Sequence, residues 1–414
     1  MEKTVPEWTK RFLDFNSNAP VNRLAYTDED TKYKVEIMKK MQELGMQISY
    51  DTIGNICGFL PAHGKAHSNL VLCSHTDCVP DGGQYDGPAG IISYLMAIET
   101  LQNKGAQIPN NIHLIICACE ESSRFDIACV GSKYLAGKLK SEDHAKTDNA
   151  GMPLGDAAKD FLKSLEKGIQ SYNIKAKHVD AVVGKDECDT AIELHIEQCD
   201  TLAKGGNQIG IATSIPGVYR IKLSIKGQGG HTGTPLSERK DAMYAFGEFL
   251  HQAYKIEHET DGNIIVTIPG NETDEIFMNK IQDYVCFKMD ARIHIPMVFD
   301  DAAKRVEQII CDVEKRTGVK FTKEVLGASN PFKTDEKLSK KLHSLSEGLG
   351  LRTIDMRSPA GHDVAILPAK QRGLIFIPST NGSHNHKEHT TKQDILNGVA
   401  VLEQLILGCD SRIR

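Results

Sequence analysis

Apolar residues fall at helical spacing between positions 31 and 46, where Tyr33, Ile37, Met38, Met41 and Leu44 share one face and Gly45 ends the run. Short strand-like runs follow at 47–49, 54–60 and 69–73. Residues 90–102 carry Ile91, Leu95, Ile98 and Leu101 along one helical face. Residues 112–119 are apolar but for His113 and of strand length, the pattern of a strand buried on both faces. Strand, helix, strand predicts an α/β protein. Residues 191–198 alternate instead, with Ile192, Leu194 and Ile196 to one side and Glu193, His195 and Glu197 to the other.

The texture changes near residue 214. Residues 218–226 alternate Ile221, Leu223 and Ile225 with Arg220, Lys222 and Ser224, as in a half-exposed strand. A helix at 241–254, strands near 263–268 and 283–294, a helix at 301–316 and a strand at 319–325 complete the order βαββαβ. That is the ferredoxin-like split motif. It predicts an inserted domain over 213–327, leaving 1–212 and 328–414 as the main domain. The last part returns to the first style, with helices at 337–349 and 393–407 around an apolar strand at 373–378. The expected fold class is therefore α/β, a mixed sheet flanked by helices with one insertion. The length of 414 residues, more than one core usually serves, agrees with two domains.

Charge narrows the function classes. There are 49 basic and 55 acidic residues, a net charge of −6, and no long basic run, which argues against a nucleic-acid partner. No apolar run is long enough to cross a bilayer, and the first residues have no apolar leader. With eleven cysteines, an odd number lacking a paired Cys-x-x-Cys, reduced thiols and a cytoplasmic location are expected. Cys117-x-Cys119 is either a soft-metal site or part of an apolar strand, and its apolar setting favours the strand.

The chemistry gathers at strand ends. His75-x-Asp77 follows the apolar run 70–73, and a Gly-rich loop then leads to Asp86 in Tyr85-Asp86-Gly87. An imidazole and a carboxylate at a strand mouth, with a second carboxylate on a tight loop, suit a divalent metal; an ordinary strand end is the plainer alternative. Asp77 is spaced to orient the His75 ring, Asp86 to be the ligand. Glu120-Glu121 closes the second apolar strand as either a solvated acidic turn or a ligand beside a proton-handling neighbour. His195 is either a surface histidine or a further ligand, and His384 follows the strand at 373–378. His75, Asp86, Glu121, His195 and His384 thus share one placement, and such strand ends converge on one crevice. Three imidazoles and two carboxylates can hold two divalent ions if one carboxylate bridges, and mixed N/O donors favour Zn²⁺, Mn²⁺ or Co²⁺. Glu120, beside a ligand but free itself, is then the natural general base.

These motifs resemble the hydantoinase/carbamoylase amidases, within the aminoacylase/carboxypeptidase group of di-metal hydrolases. The resemblance covers nearly the whole chain. It rests on SHTDCVPDGGQYDGPAG, EESSRF, ELHIEQ, GGHTGTP, Asn279 with Asp290-Ala-Arg292, Ala360-Gly361-His362-Asp363 and Gly382-Ser383-His384-Asn385. It implies that His75 and His195 hold one metal, that Glu121 and His384 hold the other, and that Asp86 bridges. It implies Glu120 as catalytic base and Asp77 as the acid orienting His75. It makes the inserted domain a lid that also forms a homodimer, with His231 reaching the partner subunit's site in an oxyanion role. Asn279, Arg292, Gln198 and Gly361 match substrate-binding positions; a guanidinium such as Arg292 forks onto a carboxylate. From the residues alone, His231 reads as a turn histidine and Arg292 as an ion-pair partner of Asp290.

The chain departs from the family pattern where His231-Thr-Gly-Thr-Pro235 and Gly382-Ser383-His384 are each one residue short. His386 and Gln282 replace expected prolines, and Ser122 replaces an expected glycine. The implied activity is hydrolysis of the carbamoyl C–N bond of an N-carbamoyl-L-amino acid or other ureido acid, giving amine, ammonia and carbon dioxide. Allantoate hydrolysis in purine breakdown and a dipeptidase or aminoacylase activity are the enzymatic alternatives. A binding protein on an inactive hydrolase fold is the non-enzymatic one, and it should have lost Glu120 or a ligand.

Overall fold

A computed structural model describes residues 4–184, 187–295 and 299–408. The chain forms two compact units, one comprising residues up to Thr213 and from Thr334 onward, the other Ser214–Lys333.

The first unit opens with α1 (Asp28–Glu43), whose start is fixed by the Thr27 side chain accepting the Asp30 N–H and by three acids in its first turn. Strands β1 (Gln47–Tyr50), β2 (Ile56–Leu60) and β3 (Asn69–His75) follow. Next come α2 (Pro88–Asn103), β4 (Asn111–Cys117), the short α3 (Val130–Leu135) and α4 (Leu154–Ser171). β5 (Ala176–His178), β6 (Thr190–Ile196), α5 (Thr201–Gly205) and β7 (Ile209–Ile215) lead to the insertion.

The inserted unit contains β8 (Gly217–Lys226), β9 (Gly230–His231), α6 (Ala242–Glu259), β10 (Ile264–Thr267), β11 (Asn271–Thr273), β12 (Lys280–Ile281), β13 (Tyr284–Ile293), α7 (Phe299–Thr317), β14 (Lys320–Ser329) and β15 (Phe332–Lys333). Its antiparallel sheet has the order β10-β13-β8-β14, and β11 also pairs with β13. Residues of α6 and α7, Phe249 and Val313 among them, share a core with Leu223, Ile225 and Val285 of the sheet. β9 and β12 form a separate two-stranded ribbon. The unit runs past residue 327 because β14 continues to Ser329 and β15 then pairs with Ser214 and Ile215.

The chain returns through α8 (Glu336–Gly348), β16 (Thr353–Arg357), β17 (Gln371–Ile377) and α9 (Lys392–Ile406). The sheet of the first unit has the order β7-β17-β6-β3-β4-β2-β1-β5, with β16 also paired to β7. β17, β6, β3 and β4 are adjacent and mutually parallel, so their carboxyl ends lie on one side of the sheet. α2, α8 and α9 pack beside β6 and β17, while α1 and α4 pack on each other. Leu70, Val71, Leu72 and Cys73 of β3 are all at most 3% exposed. At about 1.5–3 kcal/mol for each large apolar side chain removed from water, such strands anchor the loops at their ends.

β6 is buried on both faces. Glu193, His195 and Glu197 are as buried as the apolar residues between them, so His195 is not a surface histidine. Glu193 accepts the Val364 N–H, and Glu197 accepts the N–H groups of Leu202, Ala203 and Ser379. The inward polar face of β6 is thus satisfied by loops from elsewhere in the chain. The ten described cysteines are free thiols, and burial pushes Cys117 and Cys119 well above the ordinary thiol range. No helix among the described residues is long and apolar enough to cross a membrane.

Candidate metal centre

β3 ends at His75, and its ring is fixed by Nδ1 bonding the Asp77 backbone carbonyl at 3.0 Å. His195, on β6, is held likewise by the Ile196 carbonyl, 2.8 Å from its Nδ1. A carbonyl can only accept, so both rings carry a proton on Nδ1 and, when neutral, present a lone pair at Nε2. The Gly87 N–H reaches His195 Nε2 at 3.1 Å.

Asp86 lies between the imidazoles. Its Oδ1 is 3.0 Å from His195 Nε2 and 3.6 Å from His75 Nε2, and its Oδ2 is 3.5 Å from His384 Nε2. Gly87, with φ of 82°, turns the chain away at once into α2; a Cβ there would stand 2.6 Å from the His75 ring. His384 Nε2 is also 3.3 Å from Glu121 Oε1. The donor atoms form two clusters, His75–Asp86–His195 and Asp86–Glu121–His384, each gathered within 4.8 Å, with Asp86 common to both. The five residues singled out as ligands are therefore together.

The field at this point is strongly acidic. Burial opposes charge on Asp86, yet His195 and His75 hold it well below the usual carboxylate range. Burial likewise disfavours the charged ring of His75, but Asp86, Glu120 and Asp77 raise it well above the usual imidazole value. The Glu121 hydrogen bond lifts His384 to about 9. Glu120 sits next to Glu121, and burial, with Glu121 and Asp363 nearby, pushes its carboxyl well above the ordinary range against the pull of His75. The Cys129 thiol donates to Glu120 Oε1 at 3.1 Å.

Asp77 acts differently from the expected ring-orienting acid. Its carboxylate is 3.9 Å from His75 Nδ1 and instead accepts the backbone N–H groups of Glu120 at 3.3 Å and Glu121 at 3.0 Å. The ring is oriented by its carbonyl. Gln198 donates to Asp86 Oδ2 at 2.9 Å, and its Oε1 is buried with no partner among the described residues. Gly361 is exposed and has open space where a Cβ would lie. His362, beside it, was not singled out from the sequence, yet it is buried, faces Glu193 at 3.7 Å and stacks edge-on to His195 at 4.7 Å. Cys119, Gln198 and His384 all take positive φ, a strained state for non-glycine residues, on three of the loops that bring in the site residues.

The remaining candidates belong to the inserted unit. His231 is exposed on β9, paired with Lys280 of β12, and the Asn279 carbonyl accepts the Thr232 N–H at 3.4 Å. Arg292 lies 3.6 Å from Asp290, which also faces Arg220 on the adjacent strand at 3.4 Å.

Donor clusters at the carboxyl ends of parallel strands give this α/β fold candidate metal-binding groups. Residues 71–408 match the family model described as Peptidase family M20/M25/M40, and the chain belongs to that family. It is similar to an N-carbamoyl-L-amino-acid amidohydrolase of a Pseudomonas species, 28% identical over 94% of this chain and 92% of the relative. It is as similar to the allantoate amidohydrolase of Escherichia coli, 28% identical over 98% of this chain and 96% of that one. Among solved structures it resembles a hydantoinase/carbamoylase family amidase from Burkholderia multivorans, with TM-score 0.82 and 25% identity over 97% of this chain and 95% of that one. The chain is an amidohydrolase of this family.

Proposed function

We propose that the protein hydrolyses the carbamoyl C–N bond of an N-carbamoyl-L-amino acid or a related ureido acid, using two divalent ions. The observation that carries the reading is Asp86, whose two carboxylate oxygens face two separate donor clusters. The site fits such ions. Two imidazoles offer lone pairs at Nε2, and surrounding acids raise the rings' affinity for positive charge. His75 and His195 would hold one ion and Glu121 and His384 the other, with Asp86 bridging; N/O donors of this kind suit Zn²⁺ or Mn²⁺, with Co²⁺ possible. When bound, the ions would polarise the ureido carbonyl and lower the pKa of a water, to roughly 7 in the mononuclear zinc precedent.

The chain's own residues do the rest. Glu120 takes a proton from the attacking water and delivers it to the leaving nitrogen. One water adds to the carbamoyl carbon and the bond to the amine nitrogen breaks. The carbamic acid released falls apart to ammonia and carbon dioxide. Gln198, whose buried Oε1 has no partner among the described residues, would accept an N–H of the ureido group. Gly361 leaves open space for the acid end of the substrate. His231, Asn279 and Arg292 supply the oxyanion contact and the carboxylate clamp, His231 from the second subunit of a homodimer.

A second reading, allantoate hydrolysis, is supported by the similarity to the Escherichia coli enzyme. Ammonia release from a panel of N-carbamoyl amino acids, allantoate, N-acyl amino acids and dipeptides separates these readings. Turnover of ureido substrates alone is expected. Turnover only of acyl substrates or dipeptides would overturn the proposal.

A further inference from the structure

Glu388 belongs to neither donor cluster, yet it touches the loops that supply both. It is 1% exposed. Its Oε1 accepts the backbone N–H groups of Tyr85 at 2.9 Å and Asp86 at 3.0 Å, on the loop ahead of α2. Its Oε2 lies 2.6 Å from Ser383 Oγ, and that hydroxyl also bonds Asp86 Oδ2. The approach depends on Gly83, because a Cβ there would overlap the Glu388 carboxylate. Ser383, His384 and Glu388 share one loop, closed by paired backbone bonds between Thr380 and His389 at 2.8 and 3.1 Å. Glu388 is thus a side chain that ties the Asp86 loop to the His384 loop.

We propose that Glu388 is a positioning residue that holds Asp86 turned across the two clusters, an inference that rests on reading the site as a two-ion centre. The terminal torsion of an aspartate is soft, so its two oxygens face separate ions only if both are held. Oδ1 faces His75 and His195, and both rings are anchored near strand ends. Oδ2 is oriented by Gln198 and Ser383, and Ser383 is in turn held by Glu388. His384, on the same loop, has a side chain 51% exposed and no strand to fix it. Loss of Glu388 therefore acts on the Glu121–His384 ion and spares the His75–His195 ion.

Proton counting distinguishes the replacements. Ser383 has one proton for two carboxylates. In Glu388→Gln the amide oxygen still accepts the two backbone N–H groups, and the amide N–H donates to Ser383 Oγ, leaving the serine proton for Asp86. Glu388→Leu removes every one of these bonds, and Ser383→Ala removes only the hydroxyl.

The test is Zn²⁺ titration of the metal-stripped full chain by calorimetry, with bound ions counted by mass spectrometry and folding checked by circular dichroism. Wild type and Glu388→Gln are expected to bind two ions alike. Glu388→Leu and Ser383→Ala are expected to keep the first ion and bind the second about 10–100-fold more weakly, the usual cost of losing a partner that orients a ligand. If Glu388→Leu does not fold, Ser383→Ala carries the test. Wild-type affinity for both ions in the folded variants, or equal weakening of both, would overturn the role of Glu388. A wild type that binds fewer than two ions would instead overturn the two-ion reading, and the proposal with it.

Discussion

The Asp77 carboxylate holds the Glu121 backbone, its Oδ2 accepting the Glu121 N–H at 3.0 Å. The same side chain takes the Glu120 N–H on Oδ1. One buried acid thereby fixes the segment that supplies both the candidate base and a candidate ligand. Asp77→Ala leaves the buried Glu121 N–H without its acceptor, at a cost of about 1–3 kcal/mol. Thermal unfolding should show that loss, and metal titration a Kd for the Glu121–His384 ion raised about 10–100-fold. Asp77→Asn keeps one acceptor oxygen and should fall between.

Glu120→Gln removes the proton carrier while keeping the shape of the side chain. We expect kcat to fall by about 10²–10⁴-fold, the usual contribution of a positioned acid–base group, with metal content unchanged. Ammonia release and metal analysis on the same preparation check this. Retained turnover would refute the role assigned to Glu120.

His113 lies on β4, packs against Phe59 with ring centroids 4.9 Å apart, and has a buried Nδ1 with no partner among the described residues. Burial lowers its pKa from the ordinary 6.5, so the unfolded chain binds the proton more tightly than the folded one. The resulting stability is present above 6.5 and is lost as pH falls below it through the folded value. His113→Phe keeps the ring contact and removes the titration. Unfolding of the metal-free proteins at pH 7.5 and 5.5 should show wild type losing more stability than the variant. Parallel losses would contradict this origin.

If His231 acts from the second subunit, a heterodimer of His231→Ala and Glu120→Gln chains contains one intact site. Mixed subunits should regain up to about half of wild-type activity per dimer, against almost none for either parent. No recovery in verified heterodimers would count against action in trans.

The parallel core strands were legible because Leu70, Val71 and Leu72, and likewise 114–117, are apolar without a break. β6 was harder to read. Alternating acids suggest a wet face, but Glu193 and Glu197 are satisfied by Val364 and Ser379, far away in the chain. Glu388 escaped notice for the same reason, since its partners at Tyr85 and Asp86 are about 300 positions away. Gln198 and His384 adopt positive φ although neither is a glycine. The ligand set was visible because each ligand lies at or just past a strand marked by the pattern of apolar residues. The side chains that orient those ligands were not visible, because tertiary contacts alone define them.

That two cations share Asp86 is tested most directly by anomalous diffraction from crystals of the protein loaded with Zn²⁺ or Mn²⁺. Two peaks are expected, one beside His75 and His195 and the other beside Glu121 and His384, with Asp86 between them. A single peak, or peaks that leave Asp86 unliganded, would contradict it.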